Sequence, residues 1–325
     1  MAVPTNTQTT YTAIGEREDL SDRIWEISPT ETPFVSNIDR VSGKMTFHEW
    51  QTDSLAAAAA NTVLEGDDAS VTAQSVTTRL GNYQQILDKT VSVSGSLRAA
   101  DTAGRADEFS YQVAKFGREL KRDIEYACVR NQASSAGGVA TARALGSVES
   151  WIATNKTHAN AGTATISTTI GFTGGVVAAP TDGTTPGAFT EADLKVVIQA
   201  AWTQGGSPDT IMVGPFNKRA ASAFTGIAAL RSNVGQGDDQ ATIIAAADVY
   251  HSDFGALKIV ANRFNRDRTV LVLDMELWAV AEFRPMTLTP LAKTGDSDKA
   301  QLLTELTLVS RNELGNGKVT DVTSS

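Results

Sequence analysis

Cysteine is almost missing from this chain. Cys128 is the single one among 325 residues, so no intrachain disulfide framework can form, and a reducing cytosol is the matching environment. Histidine is nearly as scarce: His48, His158 and His251 lie in unrelated segments, never at a metal-ligand spacing such as H-E-x-x-H. All three read as surface or interface side chains. No apolar run approaches the roughly 18 residues needed to span a bilayer. Met1 to Thr12 is polar and threonine-rich, without the basic and apolar regions of a signal peptide. The expectation is a protein made and used in the cytosol, or in something assembled there, with no membrane partner. Positive charge is in deficit, with 28 Lys and Arg against 37 Asp and Glu, a net charge of −9. That balance excludes gripping DNA by phosphate neutralisation but not enclosing it.

The motifs of catalysis are also missing. There is no G-x-S-x-G elbow to activate a serine and no P-loop lysine. Cys128 falls within a helical stretch, where a buried, inert thiol is the expectation. Gly235-Gln236-Gly237 lacks the third glycine of a dinucleotide fingerprint and reads as a loop. Glu65, Asp67 and Asp68, like Asp238 and Asp239, lack the spacing of a calcium loop and read as solvated turns. Arg263, Arg266 and Arg268 form the one compact basic cluster, suited to phosphate or a neighbouring carboxylate, and read foremost as a solvated turn between strands. No nucleophile–base pair, metal set or phosphate cradle can be nominated, so no catalytic, cofactor-binding or metal residue is assigned.

What is present is extended and unfinished. Leu20, Ile24 and Ile27 stand at helical spacing in Gly15 to Asp39, with Pro29 and Pro33 as breakers; this amphipathic piece is too small to bury its own apolar face. Val41 to Gln51 and Arg79 to Gly95 alternate as strands, separated by an alanine-rich span with the acidic turn Glu65-Gly66-Asp67-Asp68. They predict a protruding hairpin, and a two-stranded ribbon is marginal in water without a surface to lie on. From Asp107 to Asn131, Phe109, Val113, Phe116, Leu120, Ile124 and Ala127 form a helical stripe, a strut of ~37 Å. Lys115, Arg118, Glu119, Lys121, Arg122 and Glu125 take the remaining faces, Lys121 and Glu125 as i,i+4 partners. Ser134 to Ala188 is rich in Gly, Thr and Ala, with a hairpin suggested by the alternation in Thr163 to Phe172.

An α/β pattern follows. Thr190 caps a helix over Glu191 to Gln204 that Gly205-Gly206 stops. Thr210 to Val213 is a buried strand, and Pro215 opens a helix through Phe224. Further strands are expected at Leu257 to Ala261, Thr269 to Leu273, Met286 to Leu291 and Leu302 to Ser310. The class is α+β.

Several ordered stretches resemble the major capsid proteins of tailed bacteriophages. They include Arg17 to Asp22 with Ile27-Ser28-Pro29, Ala103 to Glu108, Glu119 to Glu125, Glu149-Ser150-Trp151, Ile211 to Lys218, Ser252 to Gly255 and Leu291 to Ser297. The resemblance covers nearly the whole chain except the extreme N-terminus and residues near 160–188. It implies the Hong Kong-type capsid fold: an N-terminal arm (1–39), an extended loop (40–95), a peripheral domain with a spine helix (96–150), a variable Thr/Gly-rich insertion (151–188), an axial domain (189–283) and return strands of the peripheral domain (284–325).

The implied function is self-assembly into pentamers and hexamers of an icosahedral head, without catalysis or cofactors. The implied partners are further copies of the chain, a separate scaffolding protein, a portal, decoration proteins and enclosed double-stranded DNA. The implied location is the virion, assembled in the host bacterial cytoplasm. Some relatives crosslink a Lys to an Asn between subunits; Lys44 lies in the extended loop, but no partner or acid accompanies it. Two readings compete: an encapsulin-like cargo shell of the same fold, and a cytosolic α/β enzyme built on Phe189 to Phe283.

Overall fold

The computed structural model describes residues 28–69, 71–102, 104–159, 166–224 and 248–323. The helix expected around Leu20 and Ile24, the Gly235 loop and the Asp238-Asp239 turn lie outside them. Pro33, read as a breaker, instead opens a short helix, α1 (Pro33–Asn37), because its fixed φ suits a first helical position.

The strand expected over Val41 to Gln51 is two strands. β1 (Asp39–Ser42) runs parallel to a later strand, and Gly43 N–H closes the pairing on the Glu282 carbonyl at 2.8 Å. β2 (Phe47–Thr52) then turns away to pair antiparallel with β3 (Thr78–Tyr83). Gly81 of β3 leaves room for the Phe47 ring, which would have to shift if a Cβ stood 2.5 Å from it. The predicted strand to Gly95 breaks at buried Gln84, whose backbone N–H donates to the Thr46 carbonyl. β4 (Gln85–Ser94) belongs to a different sheet, so the projecting hairpin is only β2 and β3. A short helix, α2 (Gly95–Ala99), follows.

The strut is α3 (Glu108–Val129), capped by the Asp107 carboxylate on the Phe109 and Ser110 amides. It lies on β4 and on β13 (Ser297–Ser310), which pairs along its length with β12 (Trp278–Leu291). The resulting sheet has the order β1-β12-β13-β4. Leu120, Ile124 and Ala127 of the expected stripe are buried, whereas Phe109, Val113 and Phe116 are only half-buried.

The Thr/Gly-rich stretch carries a one-turn helix, α4 (Val148–Trp151), and a strand, β5 (Lys156–His158). Residues 163–165 of the hairpin expected over Thr163 to Phe172 lie outside the described residues; a two-residue hairpin follows at β6 (Phe172–Thr173) and β7 (Val176–Val177). α5 (Glu191–Thr203) begins at Thr190, whose hydroxyl accepts from Asp193 N–H, and stops where Gly205 adopts φ +89°. β8 (Thr210–Val213) is fully buried, and α6 (Pro215–Ala221) ends three residues before Phe224.

β9 (Val249–Ser252), β10 (Gly255–Ala261), β11 (Val270–Leu273) and β14 (Gly317–Thr320) complete a second sheet, ordered β5-β14-β11-β8-β10-β9. Of the chain after residue 283, expected to return to one body, β13 joins the four-stranded sheet but β14 lies between β5 and β11.

Alternation divides the six-stranded sheet between two cores. Met212, Leu271 and Leu273 face a core with Trp151, Trp278 and α3 residues Ile124 and Cys128. Ile211, Val213, Val270 and Val272 face a second core with Leu194, Val197 and Ile198 of α5.

Candidate functional site

A projecting segment and a long hairpin dominate the surface. Between β2 and β3, every described residue of 53–77 is exposed, and the segment carries no regular strand or helix. Its apolar side chains point into solvent: Leu55 is 99% and Val71 98% exposed, with Val63, Leu64 and Val76 also uncovered. Exposed hydrophobes scattered singly need no explanation, but five on one segment mark a surface awaiting a partner. The distal half of β12 repeats this on a rigid ladder, exposing Met286, Leu288 and Leu291 beside buried Ala300 and Leu302 of β13. Beside the six-stranded sheet, Trp202 of α5 packs at a tilt on Phe254 at 5.0 Å with both rings exposed.

Buried polar contacts hold the roots of these projections. Asn82 of β3 donates to the Gly146 and Leu308 carbonyls at 3.1 and 2.8 Å. Trp50 of β2 packs on Trp151 at 5.4 Å, and Trp151 stacks on Phe172 at 5.7 Å, so the projecting hairpin, α4 and β6 share one aromatic row. Glu305 of β13 is buried between Arg143 and Arg284.

Glu125, expected on a solvated face beside Lys121, is fully buried. Its carboxylate accepts from the Phe34 and Val35 amides at 2.9 and 2.8 Å and from the Asn262 side chain at 2.6 Å. It thereby caps α1, which has no side-chain cap of its own. Burial pushes its carboxyl above the usual range, against the pull of those three donors.

A second buried network was invisible to sequence reasoning. Lys318 of β14 is fully buried, its ammonium donating to the Glu149 carbonyl at 2.6 Å and to the Thr169 hydroxyl at 2.8 Å. Burial pushes Lys318 down to about 7, opposed by the nearby Glu149 carboxylate. Burial in turn pushes Glu149 up, although Arg266 and Lys318 oppose the shift.

The arginine cluster is not a solvated turn. Only Arg263 is exposed. Arg266 pairs with Glu149 at 3.4 Å and Asp182 at 2.5 Å, and Arg268 donates to the Gly183 carbonyl at 2.8 Å. The carboxylate alternative is the one realised. Asp321 completes the network from a left-handed backbone (φ +57°), accepting from Ser167 and Gly183 amides at 2.7 Å each. These contacts fasten the Thr/Gly-rich stretch to β14.

The remaining nominated residues scatter. His158 is not on the surface; its ring contacts Asp321 at 3.2 Å and Thr320 at 2.8 Å. His48 is half-buried near Trp50, and burial lowers its pKa, while His251 is exposed on β9. Cys128 is buried and burial pushes its thiol up. Lys44 is exposed between β1 and β2, and Glu65, Asp67 and Asp68 are exposed on the projecting segment. Among the described residues, no group of three His, Cys, Asp or Glu is placed to hold a metal, and no helix is long and apolar enough to cross a membrane.

Comparison with known proteins gives these surfaces a context. The chain is 29% identical over 339 residues to the major capsid protein of Escherichia phage Phieco32, covering 94% of each. Its fold is similar to the cyanophage A-1(L) capsid asymmetric unit, with a TM-score of 0.63 at 15% identity over 97% of this chain and 99% of that one. It is also similar to the capsid of a native GTA particle, with a TM-score of 0.59 at 10% identity over 97% of each chain. The profile of the SU10 major capsid proteins matches residues 3–323, and the chain therefore belongs to that family of phage capsid subunits.

Proposed function

We propose that copies of this chain assemble into pentamers and hexamers that close as an icosahedral head around double-stranded DNA. The observation that carries this reading is the segment 53–77, whose apolar side chains are left uncovered by the described residues. A segment of that kind gains order only on a neighbour, and many such modest contacts sum to a stable closed particle. The net charge of −9 suits a wall that contains DNA without adhering to it.

The subunit acts without catalysis, cofactor or metal, as a virion component assembled in the host cytoplasm. A separate scaffolding protein, a portal and decoration proteins are its partners. The domain reading keeps an arm (1–39), an extended loop, a peripheral body built on α3 and the β1-β12-β13-β4 sheet, and an axial body. β5 and β14 go to the axial body, because they hydrogen-bond into its sheet.

Electron microscopy of the purified or co-expressed chain tests the proposal. Uniform closed shells are expected; small monomers under all assembly conditions would count decisively against it. Deleting residues 52–78 is expected to leave capsomers or aggregates, and normal shells from that deletion would show that the loop makes no intersubunit contact.

A further inference from the structure

A groove of about 380 Å³ lies between α1, α3 and β12, lined by Val35, Ile124, Val280, Met286 and Leu306; at its rim Arg40 is paired with Glu282, and Lys121 adds a further cation. Nothing among the described residues fills it. Thr32 and Ser36 also line it, so the groove opens where the N-terminal chain enters the fold.

The sequence just before that entry has the complementary chemistry. Leu20, Ile24 and Ile27 recur at helical spacing, and residues 16–27 carry five carboxylates against two arginines. The apolar stripe matches the apolar groove floor, and the acidic flank finds one cation, Lys121, at the rim beyond the Arg40–Glu282 pair. Residues 28–32 reach at most ~18 Å when extended, which keeps Ile27 near the groove.

We infer that the groove between α3 and β12 holds residues 16–27 of the same chain, with Leu20, Ile24 and Ile27 in the groove and the acidic side chains toward Lys121. The short tether decides between this copy and a neighbour's: a linker of a few residues sets an effective concentration in the millimolar range, which a second copy must outcompete. The arm is then pinned at its root, and only the residues before Glu16 are free to reach another subunit.

Bimane fluorescence tests this, because tryptophan quenches bimane only near contact and Trp25 lies beside Ile24. The label is placed on Met286→Cys, at the groove and far from Trp25 in sequence; native Cys128 is buried, and burial also raises its thiol pKa. In the full chain, Trp25→Phe is expected to brighten the label at least twofold. The same labelled Trp25→Phe chain is expected to stay bright when co-assembled with an excess of unlabelled chains that retain Trp25. No brightening in Trp25→Phe would overturn the assignment. Dimming on co-assembly would show a neighbour's segment in the groove and would overturn its same-chain form. Micrographs of the same samples report shell closure separately, so an empty groove in closed particles leaves the assembly reading intact.

Discussion

β8 and the segment 53–77 are opposites within one chain. All four residues of β8 are buried, with Ile211 and Val213 in one core and Met212 in the other. Every described residue of the segment is exposed. The first region gains its stability inside the subunit, from apolar area removed from water at ~25 cal/mol per Å². The second has no such source, and ordering its backbone costs ~1–2 kcal/mol per residue. A mutation in β8 or its surroundings should therefore act on the subunit, and one in the segment on the assembly.

The sharpest way to break this contrast is at the core. Trp278 is fully buried, edge-on to Phe34 at 6.1 Å, and its indole N–H donates to Asn316 at 2.9 Å. Trp278→Ala is expected to cost ~3–5 kcal/mol in the denaturant midpoint of unassembled subunits. A loss below ~1 kcal/mol would show that the body does not depend on this core. Next comes Glu125→Ala, which leaves the Phe34 and Val35 amides without their acceptor. Roughly 2–3 kcal/mol is expected, with Glu125→Gln costing less because one acceptor oxygen remains.

Lys318 provides a pH-dependent version. Its folded value of about 7 lies below the ordinary ~10.4, so between these limits the unfolded chain binds more protons than the folded one. Stability contributed by this site therefore rises with pH across that window, by at most ~1.4 kcal/mol per unit, and is lowest at and below the folded value. Lys318→Met is expected to flatten the rise in urea titrations; an unchanged slope would assign it to other groups. The smallest effect is expected from Val63→Ser with Leu64→Ser: within ~0.5 kcal/mol on subunit stability, but with fewer closed shells by microscopy. A large drop in subunit stability would mean the segment is packed on its own body.

Local pattern was enough for much of this. The Thr190 cap, the Gly205 stop, the β8 run and the α3 stripe were all legible because each is decided by residues within a few positions. Glu125 and Lys318 were not legible. The partners of Glu125 lie 90, 91 and 137 residues away, and the contacts of Lys318 lie 149 and 169 away. A carboxylate one helical turn after Lys121 looks like any exposed helix charge until α1 folds over it. The split of the strand at Gly43 was hidden for the same reason, since β1 pairs with Ala279 to Glu282, far along the chain. Family resemblance pointed to the kind of protein, while the buried ionic junctions had to be found in the fold.

The β12–β13 hairpin has a mechanical consequence. Each strand has 14 residues, about 46 Å at the usual rise. One end, at Trp278 and Ser310, is clamped in the core; toward the other, β13 stays paired with β4 as far as Ser297 and Ser94, while β12 past Glu282 is held by β13 alone among the described residues. The register shifts between Glu282 and Arg284 and again before Thr287, the local irregularity that bends a strand and tightens its twist. The irregularity thus forms an elbow on an edge strand, where a single ladder holds the chain. Flexing at residues 282–287 would let one sequence meet neighbours at different angles while the clamped end stays still. A subunit-by-subunit comparison in an assembled particle should find the angular spread concentrated at that elbow, and a spread distributed evenly along the strands would refute it.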